Sequence, residues 1–352
     1  MNYNKLIVRN FGPVLTGEIG NEKIIVLFGS NNSGKSMISK LIHTFSMFDL
    51  MMSNKFSDWP IVNKLKISTD RLMTYYVLNN LSLRPHQLIT YGQSNSYLTV
   101  ENDKKAFKLV LSDNIERNEL RKYTILSHYL DSQTQSQLQS LYIPAGRTGA
   151  IEFFYTIAQM RHRLLRDILV SFAGYDYQQE TFSAPDLKQF LRSAGSFPNY
   201  MNEFYDMILD AYTKGMTKDF QNQFSTLFSG RVYTEKESVA PSIIFEDPKG
   251  FLTNLENSGS GVISSLPILL GIEYVENGGR LIIEEPEAHL EPTRQFALME
   301  MLHTASTDKK IKLVITTHSD YIVKKLLSMV NQKVLEPSDL GLYYFERPTD
   351  QY

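Results

Sequence analysis

The chain has 352 residues, of which 42% are apolar and 21% charged, and a formal net charge of -2. This is the composition of a globular protein long enough for one large α/β unit or two domains, and its charge balance gives no argument for nucleic acid or an anionic membrane as partner. The absence of cysteine removes disulfides, thiolate metal sites and cysteine nucleophiles. With no basic-then-apolar leader at its start and no apolar run near the roughly 20 residues that span a bilayer, the chain is expected in the cytoplasm with no membrane partner.

In chain order, residues 5–10 and 15–21 read as short strands around a Phe11-Gly12-Pro13 turn. The apolar run Ile24 to Phe28 reads as a buried strand that breaks at Gly29 and passes through Ser30, Asn31, Asn32 and Ser33. It reaches Gly34-Lys35-Ser36 as a helical period begins over 36–51, with Met37, Ile38, Leu41, Ile42, Phe45 and Phe48 as its stripe. This is the G-x-x-x-x-G-K-[ST] phosphate loop between a strand and a helix, and it predicts a nucleoside triphosphate site rather than a bare Gly/Asn/Ser turn. Loop N–H groups and the helix dipole favour an anion there. Lys35 would reach the β- and γ-phosphates and the Ser36 hydroxyl would hold Mg²⁺.

Residues 53–88 show no clear period, whereas 88–100 and 106–112 alternate as a β-hairpin does. A helix is predicted from about Ile115 to Leu130, then a buried strand at Leu141-Tyr142-Ile143 closed by Pro144-Ala145-Gly146-Arg147. Residues 150–228 are aromatic-rich and helical in period, and read as a helical lobe inserted between 1–149 and 229–352. A second hairpin covers 231–247. Strand and helix then alternate: strand 251–256, helix 261–275, strand 280–284, helix 292–305, strand 311–316, helix 319–331 and strand 341–346. The alternation predicts a mainly parallel sheet with helices packed on it.

Leu281-Ile282-Ile283 ends in Glu284-Glu285 and is stopped by Pro286. Two carboxylates at the end of a buried strand are costly unless a cation or a reacting water needs them. In a phosphate-loop ATPase, Glu284 would help hold Mg²⁺ through its water shell and Glu285 would polarise the attacking water. The next apolar strand, Leu313-Val314-Ile315-Thr316-Thr317, ends in His318, either a helix-capping neighbour or a sensor of the γ-phosphate. Upstream, Ser258-Gly259-Ser260-Gly261 opens an apolar helix and forms a second glycine-rich anion site. Because the chain already has its own phosphate loop, this second one suggests use in trans by two subunits facing head to tail.

GSNNSGKS, NSGSG, LIIEEPEAHLEP and TTHSDYI, in this order, resemble the Walker A, signature, Walker B with D-loop, and H-loop segments of ABC-type ATPases of the SMC, RecF and OLD branch. EEPEAHLEP followed by TTHSDYIV looks most like the OLD-type ATPases, many of which act with nucleases in phage defence. The resemblance implies an ABC-type ATPase head with a mainly parallel core sheet, an antiparallel β subdomain and an inserted helical lobe. It implies ATP and Mg²⁺ as ligands, Glu285 as catalytic base, His318 as switch histidine, and Ser258 with Gly259 as the trans contact to γ-phosphate. This chain departs from the family in having Glu284 where most relatives have Asp, Asn257 in place of the signature leucine, and Glu291 where OLD-like relatives often carry histidine. The Q-loop glutamine is not evident. At its expected place stands Arg147, either a phosphate or lobe-coupling contact or a member of a structural ion pair. The stretch after His318 is too short for the Toprim domain of OLD nucleases, so any nuclease is expected on a separate chain.

These features point to an ATP-gated head-to-tail dimer, open to higher assembly, that controls a separate effector such as a nuclease or toxin. Three other readings are a RecF-like ATPase that binds DNA directly, a transporter ATP-binding subunit, and a scaffold that binds ATP with scant turnover. Arg161, His162, Arg163 and Arg166 are either a solvated helical face or a contact for nucleic acid or an acidic partner. Lys309, Lys310, Lys312, Lys324 and Lys325 read as solubility and helix C-terminal charges. The aromatic residues of 150–228, Phe204 and Tyr205 among them, read as core or a docking face.

Overall fold

The computed structural model describes residues 4–53, 88–101, 106–112, 140–149, 151, 201–235 and 242–346. The chain opens with β1 (Lys5–Phe11), β2 (Val14–Ile19), β3 (Ile24–Gly29) and α1 (Lys35–Ser53), followed by β4 (Asn95–Glu101), β5 (Ala106–Ser112) and β6 (Ser140–Ile143). Helices α2 (Asn202–Lys214) and α3 (Lys218–Phe228) lead to β7 (Arg231–Glu235), β8 (Ser242–Glu246) and β9 (Leu252–Asn254). Then come α4 (Ser260–Tyr274), β10 (Arg280–Glu284), α5 (Pro292–Asp308), β11 (Lys312–Thr317), α6 (Asp320–Asn331) and β12 (Leu340–Phe345).

Five strands form a parallel sheet in the order β12-β3-β11-β10-β6. Ile24 to Leu27, Leu281 to Ile283 and Leu313 to Ile315 are buried throughout, because helices cover both faces of the sheet and every side chain along a strand meets apolar partners. Helix α1 packs its Ile38, Leu41 and Ile42 on one face, and α4 and α5 pack on the sheet as well. Full burial of each such side chain contributes about 1.5–3 kcal/mol, so this sheet is what fixes the positions of the loops at its ends.

Two antiparallel sheets flank it, β2-β1-β4-β5 and β7-β8-β9. In the first, β1 alternates over residues 5–9 and β4 over 95–101: Leu6, Val8, Leu98 and Val100 are buried, while Arg9 and its cross-strand neighbour Tyr97 face out. The mixed α/β architecture expected from the sequence is thus observed, with a parallel core and antiparallel sheets beside it.

The span 251–256 is not one strand. Only Leu252–Asn254 pairs with β8, and Leu255–Asn257 coils into a 3₁₀ turn that buries Leu255 and aims the chain into α4. Helices α2 and α3 place Phe204, Phe220, Phe224 and Phe228 in the same hydrophobic core as the parallel sheet, which makes Phe204 and Tyr205 core residues. Thr217 caps α3, its hydroxyl accepting from the Phe220 N–H at 3.1 Å. The predicted helix at 115–130, the period-free stretch 54–87, the arginine cluster at 161–166 and most of the aromatic stretch 150–200 lie outside the described residues.

Of the two roles expected for Lys309, it fills that of a helix C-terminal charge rather than a solubility charge. Its ammonium donates to the carbonyls of Ile272, Glu273 and Val275 at 2.8, 3.0 and 2.9 Å, closing the C-terminal end of α4. Burial there pulls its pKa down against the opposing charge of Glu273. Lys325 pairs with Glu300 on the surface. No helix among the described residues is long and apolar enough to cross a membrane.

Candidate functional site

Parallel pairing brings the sequence motifs together. Phe28 lies level with Thr317, and Thr316 with Glu284, so β3, β11 and β10 end side by side. Each apolar run therefore delivers its polar terminus to one edge of the sheet: the 29–36 loop, His318, and Glu284-Glu285.

Gly29 ends β3 with φ 135°, and a Cβ there would stand 2.2 Å from the Phe345 carbonyl oxygen of β12. Glycine is thus required by the neighbouring strand as well as by the loop's own turn. Within the loop the Ser33 hydroxyl donates to the Ser30 carbonyl at 2.8 Å, and the Lys35 ammonium to the carbonyls of Ser30 at 2.6 Å and Gly29 at 3.1 Å. The lysine is buried along the loop, and burial lowers its pKa while the charges of Glu285 and Glu287 oppose the shift. The Ile38 N–H donates to the Gly34 carbonyl at 3.0 Å, which leaves the N–H groups before it outside the helical ladder and open to an anion. Ser30, Asn31, Asn32 and Ser36 are exposed on this loop.

The underside of α1 is tied to β6. Ser39 and Tyr142 share a hydrogen bond of 3.3 Å, and the buried His43 Nδ1 lies 2.8 Å from the Ser140 hydroxyl. Burial, with Arg280 nearby, pulls the His43 pKa down to about 3, so this imidazole is neutral.

Glu284 is 5% exposed. Its Oε2 accepts from the Ala145 N–H at 3.1 Å, and its buried Oε1 has no hydrogen-bond partner among the described residues. A buried carboxylate oxygen without a donor suits a cation or its bound water. With the exposed Ser36 hydroxyl, this donor set fits Mg²⁺, which would neutralise phosphate charge. Glu285 has left-handed backbone, φ 46°, and its N–H donates to the Thr316 carbonyl at 2.8 Å. Its carboxylate is part-exposed, and its Oε1 lies 3.7 Å from His318 Nε2. A non-glycine residue in that conformation stores strain of about 1–3 kcal/mol and persists only where its surroundings hold it.

Two residues that the sequence reading passed over hold these turns. Glu287 Oε1 accepts from the Thr317 hydroxyl at 2.7 Å and the His318 N–H at 2.8 Å, tying the turn after β10 to the turn after β11. Gln295 on α5 donates to the Leu290 carbonyl at 2.8 Å and accepts from the Ser319 hydroxyl at 2.7 Å. Glu287 had a signal, as a third carboxylate in the Glu284–Glu287 run; Gln295 is an ordinary helix residue until its partners are seen.

The Ser258–Gly261 turn sits against the turn after β10, since a Cβ on Gly261 would be 2.9 Å from the His289 carbonyl oxygen. The Ser258 hydroxyl bonds back to the Leu255 carbonyl at 2.6 Å. Gly259 and Ser260 are exposed, and a Cβ on Gly259 would meet nothing within 4 Å. Beyond this tip α4 is buried all round from Val262 to Ile272, a helix threaded through the core.

Arg147 is not placed to touch a phosphate. Its side chain is fully buried, and all five N–H donors are spent on protein oxygens. They reach the Ser264 carbonyl and hydroxyl at 2.7 and 2.8 Å, and the carbonyls of Pro144, Glu284 and Glu285 at 3.3, 2.7 and 2.9 Å. The geometry corrects the cofactor-binding expectation for this residue. It is a clamp between α4 and the end of β10, and burial lowers its pKa to about 10 against the three nearby glutamates.

The AAA ATPase domain family matches residues 99–323, more than half of the chain, and the chain belongs to that family. It is an ATPase. Solved structures similar to it include the Smc head domain with an extended coiled coil bound to the C-terminal domain of ScpA from Pyrococcus furiosus, with 12% identity over 92% of this chain and 91% of that chain and a TM-score of 0.43. The SmcHead bound to the C-winged helix domain of ScpA is 12% identical over 92% of each chain, with a TM-score of 0.48. The SMC head domain from Thermotoga maritima is 11% identical over 92% of each chain, with a TM-score of 0.39. No curated protein matches the chain.

Proposed function

We propose that the chain is an ATP-gated switch in which two copies pair head to tail, each covering ATP on the other's 29–36 loop with its own Ser258–Gly261 turn. The observation that carries this reading is the contrast at the sheet edge. The first glycine-rich helix start has its lysine, carboxylates and histidine gathered in one chain, whereas the second is an exposed tip on a buried helix. In this reading Lys35 and the loop N–H groups hold the β- and γ-phosphates. Ser36 and Glu284 would hold Mg²⁺, which would neutralise phosphate charge. Glu285 accepts a proton from the water that attacks the γ-phosphorus, the bond to the β-phosphate oxygen breaks, and ADP and phosphate result. His318, beside Glu285, orients that water or the γ-phosphate. Closure and reopening would control a separate effector, of the nuclease or toxin kind that the OLD-like motifs suggest.

The test is the mass in solution of Glu285→Gln, with and without Mg-ATP, by light scattering on a sizing column. ATP should double the mass, and adding Ser258→Arg should abolish the rise. A mass unchanged by ATP removes Ser258 and Gly259 from the site. Salt-sensitive binding of duplex DNA by the isolated chain would favour direct DNA engagement over effector control.

A further inference from the structure

We propose that Arg147 is a positioning residue that couples the signature-like helix α4 to the backbone of Glu285, so that what α4 senses at its exposed tip is passed to the catalytic carboxylate of the same chain. The inference rests on the roles given above to Glu285 and to the Ser258–Gly261 turn.

A buried guanidinium is expensive unless every donor is used, and apolar side chains fill a core at lower cost. Arg147 spends its donors entirely on carbonyls and one hydroxyl, without an ion-pair partner in direct hydrogen bond. What such a planar fork supplies is fixed geometry between the elements it bridges. On one side it takes the carbonyl and hydroxyl of Ser264, one helical turn into α4 from Ser260. On the other side it takes the carbonyls of Glu284 and Glu285.

Glu285 is the left-handed residue at this point, held by Thr316 through its N–H and by Arg147 through its carbonyl. The far end of α4 is clasped by Lys309. A push on the Ser258–Gly261 tip is therefore taken up as a tilt of α4 about its clasped end. Ser264 moves with it, and the guanidinium plane carries the movement to the Glu285 peptide.

Steady-state ATPase rates and the binding of a fluorescent ATP analogue, both on the full chain, test this with Arg147→Lys, Ser264→Ala and Glu285→Gln. Arg147→Lys keeps the charge and loses the fork. It should lower kcat by about 10²-fold, the effect of misplacing a catalytic group by an ångström, with analogue affinity unchanged. Ser264→Ala removes a single bond from the clamp and keeps the fold even if Arg147→Lys does not; it should lower kcat several-fold, again without a change in affinity. Combined with Glu285→Gln, Ser264→Ala should slow the residual rate no further, because its effect runs through Glu285. Full kcat in folded Ser264→Ala and Arg147→Lys, with only a lower melting temperature, would make the clamp merely structural and overturn the proposal. So would an undiminished Ser264→Ala effect in the Glu285→Gln background. A Glu285→Gln chain that turns over ATP at the normal rate would instead remove Glu285 as the base, and the coupling with it.

Discussion

Two glycine-rich helix starts among the described residues are of the kind that bind anions, and they are built in opposite ways. The one at Lys35 is enclosed: Gly29 is pressed against Phe345, the lysine lies buried along its loop, and the underside of α1 is tied to β6 through His43 and Ser140. The one at Ser260 is open at its tip, with Gly259 free of neighbours, while its shaft is buried and clamped by Arg147 and Lys309. In the proposed switch the same local chemistry would serve a site nearly completed within one chain and a presenter whose tip is offered outward.

If the enclosed start depends on tight packing and the open one does not, substitutions should separate them. Gly29→Ala meets both the positive φ and the Phe345 carbonyl, and should cost about 3 kcal/mol in urea unfolding, with loss of ATPase activity. A stable, active Gly29→Ala chain would show that β12 does not press on the loop as described.

His43 gives the next effect. It stays neutral when folded, with a pKa of about 3, whereas the unfolded chain takes up its proton near the ordinary value of 6.5. The unfolded state binds more protons between those values, so the contribution is fully present above about pH 6.5 and is lost as the pH falls towards 3. At pH 5 the loss should be about 2 kcal/mol relative to pH 7.5, and His43→Gln should flatten that part of the stability profile.

The open start supplies the smaller effects. Gly261→Ala pushes on the His289 carbonyl and should cost about 1–3 kcal/mol. Gly259→Ala should stay within about 0.5 kcal/mol of the parent in stability, yet weaken the ATP-dependent rise in mass seen with Glu285→Gln. A large loss of stability at Gly259 would mean that the tip is packed rather than presented.

Much of the site was legible because its chemistry is local. A strand, a G-x-x-x-x-G-K-[ST] loop and a helix are contiguous, and the strands ending in Glu284-Glu285 and in His318 announce themselves by polar residues after unbroken apolar runs. Contacts that join distant segments were not legible. Arg147 was open to a phosphate contact, a lobe-coupling contact or an ion pair and proved to bind the carbonyls of Pro144, Ser264, Glu284 and Glu285; Lys309, read as a solubility and helix C-terminal charge, proved to close the end of α4. Backbone carbonyls leave no trace in side-chain pattern, so a residue whose partners are carbonyls is invisible until the chain is folded.

The sequence by itself determined the class of protein, the parallel order implied by alternating strands and helices, and most of the groups proposed to meet a phosphate, since all three follow from short-range spacing and burial. Only the tertiary structure decided which glycines are pressed and which are free, that α2 and α3 join the main core, and that Glu285 is held in left-handed backbone by an arginine 138 positions away. Those outcomes depend on which segments share a wall of the core, and packing across a long separation in sequence settles that.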